Sequence, residues 1–469
     1  MSHADTLFDV LRQSGDAASV DAVARLVADG EDWQLNRVNV FDFARRTGVG
    51  EAQAIATFLR AARIGLFDMT WNVLCPGCGG VLSAGATLRS VDRDSYNCAL
   101  CSAGYEATLD EMVEVTFTVH PRVRRIAAHE PHLLPFGDYM RQIFWGSGID
   151  VPEESFARLM QEVTIEAVEL GAGEKALVSV QLPAAFVILF DPVTHATQFI
   201  DVKGEATRER QQLALVFNEV RATTGTIELR PGPLRLSLEN QTGARVLPAL
   251  WIAGDALHEL LGRRKPFLTA KRVLSNQVFR DLYRADTLGI DQRLKITSLT
   301  FLFTDLKAST ALYESVGDLA AYDLVRAHFR VLEAIIAAQG GAVVKTIGDA
   351  VMATFATPDA ALASALAMRD AMASLNLERK GDDLLLKIGI HEGPCLAVML
   401  NDRQDYFGQT VNIASRVQGL ADSRAIMATA PVLQNAGAGE ILARAGIVVE
   451  PQRRHLRGIS DDLALFSIP

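Results

Sequence analysis

The chain has 469 residues, which is more than one hydrophobic core normally organises, so we expect roughly two to four domains. Its net charge of −10 excludes a protein that coats nucleic acid or an anionic membrane as a whole. No apolar run approaches the roughly 18 residues of a membrane span, and the first residues lack the apolar core of a secretory signal. We therefore expect a cytoplasmic protein without membrane spans.

Residues 1–70 have helical periodicity. The stretch after Asn39 predicts a helix, a tight turn at Gly48–Gly50, a second helix and a short strand. This order is typical of a winged-helix-like module, and a helical hairpin that packs on its neighbour is the alternative. The second helix offers only Arg60 and Arg63 to contact phosphates, so we do not expect DNA binding.

Residues 71–117 contain four of the five cysteines in two C-x2-C pairs. The four are Cys75, Cys78, Cys98 and Cys101. Two such pairs at this separation are typical of a zinc ribbon, in which four thiolates surround one Zn²⁺ ion. Because every ligand position is a cysteine, the predicted site is structural, and metal binding would supply much of the folding energy of so small a segment. An iron site with the same ligands and four free thiols are the alternatives.

Residues 118–275 predict a β-sandwich-like sensor or regulatory domain. Short alternating runs are separated by Gly, Pro and Asn, and Leu234, Leu236 and Leu238 alternate with polar residues as in a half-buried strand. Helices are expected near 135–147 and 153–162. The basic cluster Arg122, Arg124 and Arg125 is interpreted as a solvated face, with an anionic ligand or nucleic acid as the alternative. Nothing indicates what this domain would sense.

Residues 276–292 predict a linker helix, and residues 293–469 predict an α/β domain. A strand ends at Asp305, a helix is expected over about 310–339, and a hairpin turns just before Asp349. A second helix near 357–376 and another strand complete the order βαββαβ, which is that of a ferredoxin-like sheet with helices on one face. The chain as a whole is expected to be multidomain α+β.

Two aspartates lie at the ends of neighbouring predicted strands in this last domain. Asp305 ends one strand and Asp349 follows a tight turn, so together they indicate a divalent-metal site for phosphate chemistry. A helix cap at Asp305 and a turn role for Asp349 are the alternatives.

The last 175 or so residues resemble the class III nucleotidyl cyclases. The matching stretches are, in order, FTDLKAST, VVKTIGDAVMATF, GIHEGP and DYFGQTVNIASRVQ. The resemblance implies formation of a 3′,5′-cyclic monophosphate and pyrophosphate from ATP or GTP, with two Mg²⁺ or Mn²⁺ ions per site at a dimer interface. The region ahead of them is similar to a domain often fused to such cyclases in bacteria.

The resemblance also assigns roles to individual residues. It implies metal binding by Asp305 and Asp349, base reading by Lys345 and Asp405, ribose orientation and transition-state stabilisation by Asn412 and Arg416, and triphosphate binding by Arg457. Ala308 stands where glycine is common in the family, and we expect little effect from it. Since all of these positions occur on one chain, a homodimer with two equivalent sites is predicted.

The base-reading pair favours ATP. Lysine only donates hydrogen bonds and aspartate only accepts them, and adenine presents an acceptor at N1 beside a donor at its 6-amino group. We therefore predict an adenylate cyclase, controlled by an unknown ligand or protein acting on the N-terminal region. A guanylate cyclase is one alternative, and a nucleotide-sensing transcription or interaction regulator is another.

Overall fold

The computed structural model describes residues 3–91, 95–150, 156–218, 225–284, 288–307, 317–379, 385–401, 403–422, 425–454 and 463–469. The chain forms two compact units. The first consists of Met1–Ala86, Ser90–Ala107 and Met112–Leu268, and the second of Thr87–Arg89, Thr108–Glu111 and Thr269–Pro469. Within the described ranges, no helix is both long and apolar enough to cross a membrane.

The first unit begins with helices. They are α1 (His3–Ser14), α2 (Ala17–Asp29), α3 (Val40–Thr47) and α4 (Glu51–Arg63). The Asn39 side chain caps α3 by accepting from the backbone N–H groups of Phe41 and Asp42. Gly48 ends α3 in the left-handed conformation, with a φ of 74°, which glycine adopts without steric cost. The predicted helix, glycine turn and second helix are confirmed.

Strand β1 (Phe67–Leu74) follows these helices and pairs with β2 (Val81–Gly85) and β5 (Val113–Val119). The hairpin of β3 (Ser95–Cys98) and β4 (Ala103–Glu106) lies between them in the chain. Three further helices belong to this unit: α5 (Phe136–Tyr139), which continues as a π-helical turn over Met140–Phe144, α6 (Phe156–Val163) and α7 (Asp255–Gly262).

Two more sheets form the β-rich part of the first unit. Their strands are β6 (Thr164–Ala167), β7 (Lys175–Leu182), β8 (Phe186–Phe190), β9 (Thr197–Val202), β10 (Gln211–Phe217), β11 (Ile227–Leu229), β12 (Gly232–Asn240) and β13 (Ala249–Ile252). The sheet orders are β10-β12-β7 and β11-β9-β8-β13-β6. Leu236 of the first sheet and Val187 and Ile200 of the second are buried in one core. The predicted β-rich architecture is confirmed, including the burial of alternate leucines along β12.

The second unit begins with α8 (Ala270–Leu274) and α9 (Gln277–Leu282). Its further elements are β14 (Leu294–Leu306), α10 (Asp318–Ala338), β15 (Ala342–Ile347), β16 (Ala350–Phe355), α11 (Pro358–Arg379), β17 (Leu386–Leu400), β18 (Arg403–Phe407), α12 (Gln409–Gly419), β19 (Ile426–Thr429), α13 (Ala430–Gln434), α14 (Ala436–Ala445), β20 (Glu450–Arg454) and β21 (Leu463–Ile468). The sheet order is β15-β16-β14-β17-β19-β21-β20, and β18 pairs with β17. The order of β15, β16, β14 and β17, connected as βαββαβ, confirms the ferredoxin-like prediction.

Helices cover both faces of this sheet. Leu332 of α10 and Met368 of α11 share a buried core with Ile388 and Ile390 of β17. Gly389 lies between those two isoleucines and so points to the opposite face, where a Cβ atom would lie 2.2 Å from the backbone nitrogen of Gln418 in α12. The prediction that helices lie on only one face of the sheet is therefore wrong, because α12 packs on the second face.

Candidate active site

The two aspartates of the predicted metal site lie where β14 ends and where β15 turns into β16. Thr304 of β14 is paired with Val351 of β16, so the next residue, Asp305, lies beside the β15–β16 turn that carries Asp349. Burial and the negative charge of Asp349 raise the pKa of the Asp305 carboxyl. The Oδ2 atom of Asp349 is buried and has no hydrogen-bond partner among the described residues. Two adjacent carboxylates of this kind fit a hard divalent cation.

Lys345 and Asp405 form an ion pair. The Nζ atom of Lys345, on β15, lies 2.5 Å from Oδ2 of Asp405, on β18. The backbone N–H of Tyr406 donates to the other carboxylate oxygen, and the Asp405 side chain is only 10% exposed. Both residues line a cavity of about 390 Å³. A donor-only group and an acceptor-only group are therefore held side by side at the wall of one cavity.

Helix α9 holds the backbone behind this ion pair. Nη2 of Arg280 donates to the carbonyl oxygens of Val344, at 3.2 Å, and of Gln404, at 3.0 Å. These residues directly precede Lys345 and Asp405. The backbone N–H of Val343 donates to Oε1 of Gln277, at 2.8 Å. The sequence did not predict either contact. Val344, whose carbonyl binds Arg280, lies at a register shift between β15 and β16 that no residue pattern marks.

Asn412 and Arg416 lie four residues apart on α12, so they share one helix face. Both are exposed, whereas the next residues, Ile413 and Val417, are buried because they lie about 100° further round the helix. The structure thus presents the two side chains together outside the core. Arg457 and Ala308 lie outside the described residues.

His328 of α10 is a further polar residue of this region that the sequence did not single out. It is fully buried. Burial lowers its pKa to about 4, against an opposing contribution from the Asp349 carboxylate. His328 is therefore a neutral side chain at neutral pH.

The four cysteines of the first unit come together as predicted from their spacing. Their sulfur atoms all lie within 4.8 Å of one another. Cys75 and Cys78 follow β1, and the β3–β4 hairpin brings Cys98 and Cys101 to them, with sulfur–sulfur distances of 3.7 Å from Cys75 to Cys101 and 3.6 Å from Cys78 to Cys98. A Cβ atom on Gly77 would lie 2.9 Å from the Cys101 sulfur, so glycine leaves room for the cluster. This arrangement can hold a metal ion.

The region that contains the ferredoxin-like sheet is similar to nucleotide cyclase catalytic domains. Residues 292–449 match the model of the "Adenylate and Guanylate cyclase catalytic domain". Residues 1–281, more than half of the chain, match the "Family of unknown function (DUF5939)", and the chain belongs to that family.

The matched relatives each align with about a third of this chain. The chain is 31% identical over 159 residues to an adenylate cyclase of Mycosarcoma maydis, a match that covers 30% of this chain and 6% of that protein. It is 30% identical over 152 residues to an adenylate cyclase of Anabaena cylindrica, covering 29% and 30% of the two chains. It is also 31% identical over 168 residues to atrial natriuretic peptide receptor 2 of Rattus norvegicus, covering 33% and 16%. The chain thus spans less than a third of each of these relatives.

Among solved structures, the adenylyl cyclase CyaB from P. aeruginosa is 23% identical, with a TM-score of 0.34. The match covers 38% of this chain and 96% of that chain. The guanylate cyclase domain of RhGC from Catenaria anguillulae is 20% identical, with a TM-score of 0.33, and the match covers 37% and 97% of the two chains.

Proposed function

We propose that this protein is an adenylate cyclase, a phosphorus–oxygen lyase that converts ATP to 3′,5′-cyclic AMP and pyrophosphate. The observation that carries the proposal is the ion pair between Lys345 and Asp405 at the wall of the 390 Å³ cavity. The ammonium group can donate to N1 of adenine, and the carboxylate can accept from the 6-amino group. Guanine presents a donor and an acceptor in the reverse order, so binding it would leave the buried Asp405 carboxylate facing an acceptor.

Asp305 and Asp349 would hold the Mg²⁺ or Mn²⁺ ions. When bound, these cations neutralise the triphosphate and make the ribose 3′-hydroxyl more acidic. The protein side chains then position the reaction. Asn412 orients the ribose so that its 3′-oxygen attacks the α-phosphorus in line with the departing pyrophosphate. Arg416 faces the negative charge that develops on the α-phosphoryl group, and Arg457 binds the triphosphate tail.

The proposed active site is shared by two copies of the chain. One protomer supplies Asp305 and Asp349, and a second copy supplies Lys345, Asp405, Asn412 and Arg416, so a homodimer has two equivalent sites. In this proposal residues 293–469 are the catalytic domain and the region ahead of them regulates it. The four cysteines hold one structural Zn²⁺ ion, because four thiolates with no open position are a typical structural zinc site.

The test is turnover by the purified full-length chain with Mg²⁺ or Mn²⁺. We expect cyclic AMP and pyrophosphate in equal amounts from ATP, and no product from Asp305→Asn or Asp349→Asn, which keep the side-chain size but lose the charge. Asp370→Asn, at an exposed position of α11, is the matched control and should keep wild-type activity. Nucleotide binding without turnover would instead support a nucleotide-sensing regulator.

A further inference from the structure

A cavity in the first unit has a strongly basic lining. Its volume is about 340 Å³, and α3, the preceding residues and the segment 141–150 form its walls. Five basic and two acidic side chains line it: Arg37, Arg45, Arg46, Arg141 and Lys265, and Asp42 and Asp150. In a chain whose net charge is −10, this is a local reversal of sign. Such a concave basic surface attracts anions.

Ion pairs among the lining residues neutralise only part of the positive charge of the cavity. Asp42 is paired with Lys265, at 2.7 Å, and with Arg45. Arg46 and Arg141 form no ion pair with any described carboxylate. Arg141 instead stacks on Trp33, with its guanidinium carbon 4.0 Å from the ring centroid. The guanidinium groups of Arg46 and Arg141 are therefore available to bind an anion.

Partly buried hydrogen bonds fix the walls of the cavity. Nδ2 of Asn36 donates to the carbonyl of Gln142 at 2.8 Å. Nδ2 of Asn39 donates to the carbonyls of Ser147, at 3.1 Å, and Pro266, at 2.8 Å. These bonds tie three separate stretches of chain together around the opening. The site is thus preformed, which lowers the entropy that a ligand would lose on binding.

Three lining residues carry buried polar atoms that need a partner. Oε1 of Gln142, Nε1 of Trp145 and Oγ of Ser147 are buried and make no hydrogen bond within the described ranges. Trp145 as a whole is only 2% exposed. Buried polar groups are nearly always satisfied, so three unsatisfied groups around one cavity indicate a missing partner.

We propose that this cavity binds a small phosphorylated metabolite of about mononucleotide size. Arginine side chains form bidentate, charge-assisted hydrogen bonds with phosphate, which explains two unpaired guanidinium groups at one opening. The volume is at the lower end of the range of small-ligand sites, which fits a ligand of this size. This inference gives the region of unknown function a receptor role and does not depend on the proposed cyclase activity.

The test is binding of adenosine 5′-monophosphate and of inorganic pyrophosphate to the full chain, measured by calorimetry without added divalent metal. We expect one binding event per chain for at least one of these probes. The double variant Arg46→Ala/Arg141→Ala should weaken it by about tenfold or more, because each lost charge-assisted hydrogen bond is worth at least that factor. The matched control Arg122→Ala/Arg125→Ala, at two exposed positions that do not line the cavity, should bind like wild type.

Two further variants keep the result interpretable. Arg46→Glu changes an exposed side chain, so it should fold normally and still weaken binding. Lys345→Ala removes a proposed base-reading group of the catalytic site, so adenosine 5′-monophosphate binding that survives it is assigned to the basic cavity. If neither probe binds wild type, or if the Arg46/Arg141 and Arg122/Arg125 double variants bind alike, the proposal is wrong.

Discussion

Lys345 and Asp405 form an ion pair although they lie on strands that do not pair with each other. β15 pairs with β16, and β18 pairs with β17, while β14 separates β16 from β17 in the sheet. Hydrogen bonds between strands therefore do not by themselves fix the position of Lys345 relative to Asp405. Arg280 supplies the additional constraint, because its guanidinium binds the carbonyl preceding each of them.

Replacing Arg280 by alanine should disturb nucleotide recognition more than folding. We expect the KM for ATP to rise by about ten- to a hundredfold, since small displacements of positioning groups have effects of that size. The preference for ATP over GTP should fall at the same time. Arg284→Ala is the matched control, because Arg284 is 78% exposed and pairs only with Asp281, at 3.7 Å, among the described carboxylates. Equal kinetics in the two variants would rule out this role for Arg280.

The shared active site predicts complementation between inactive variants. Asp305→Ala removes one proposed half-site and Asn412→Ala the other, so each homodimer should be inactive. A co-refolded or co-expressed equal mixture should recover about a quarter of wild-type activity, because half of the dimers are mixed and each has one intact site. A mixture that stays inactive, while both chains are shown to associate, would argue that the residues act within one chain.

The cysteine cluster predicts about one zinc ion per purified chain, measured by elemental analysis. Cys78→Ser should lose the metal and lower the temperature of the unfolding transition of the first unit, because metal binding is coupled to folding. Cys395→Ser is the control: Cys395 is also buried but lies outside the cluster, so zinc content should not change. Iron in place of zinc, or retention of zinc by Cys78→Ser, would contradict the assignment.

His391 predicts loss of stability at acid pH. Burial lowers its pKa to about 4, whereas an unfolded histidine titrates near 6.5. Between these values the unfolded chain binds a proton that the folded chain does not, so the free energy of unfolding rises with pH across this window. Lowering the pH from 7 to 5 should cost about 2 kcal/mol through this residue.

His391→Gln is the variant that tests this contribution. The difference in unfolding free energy between pH 7 and pH 5, measured in denaturant, should shrink relative to wild type. His258→Gln, at an exposed position, is the control and should keep the wild-type difference. An unchanged pH dependence in His391→Gln would show that the folded chain accommodates the imidazolium.

The sequence identified those site residues that strand ends, turns and short motifs mark. Asp305 ends a strand, Asp349 follows a glycine turn, and the cysteines carry their own spacing, so all of them could be named without a structure. Arg280 could not, because its partners are backbone carbonyls more than sixty residues away and one of them depends on a register shift. The basic cavity was also missed, because its lining residues are far apart in the sequence. Arg46, Arg141 and Lys265 are unremarkable where they stand in the sequence and meet only after folding.

The proposed preference for ATP depends on the selection of adenine by Lys345 and Asp405. The most direct measurement is kcat/KM of the full-length chain for ATP and for GTP. Cyclic AMP and cyclic GMP are quantified separately. We predict a ratio that favours ATP by at least about a thousandfold and that collapses in Lys345→Met and in Asp405→Leu, since hydrogen-bonding sites reject mismatched ligands by such factors. Equal use of the two nucleotides by wild type, or a preference for GTP, would contradict the account.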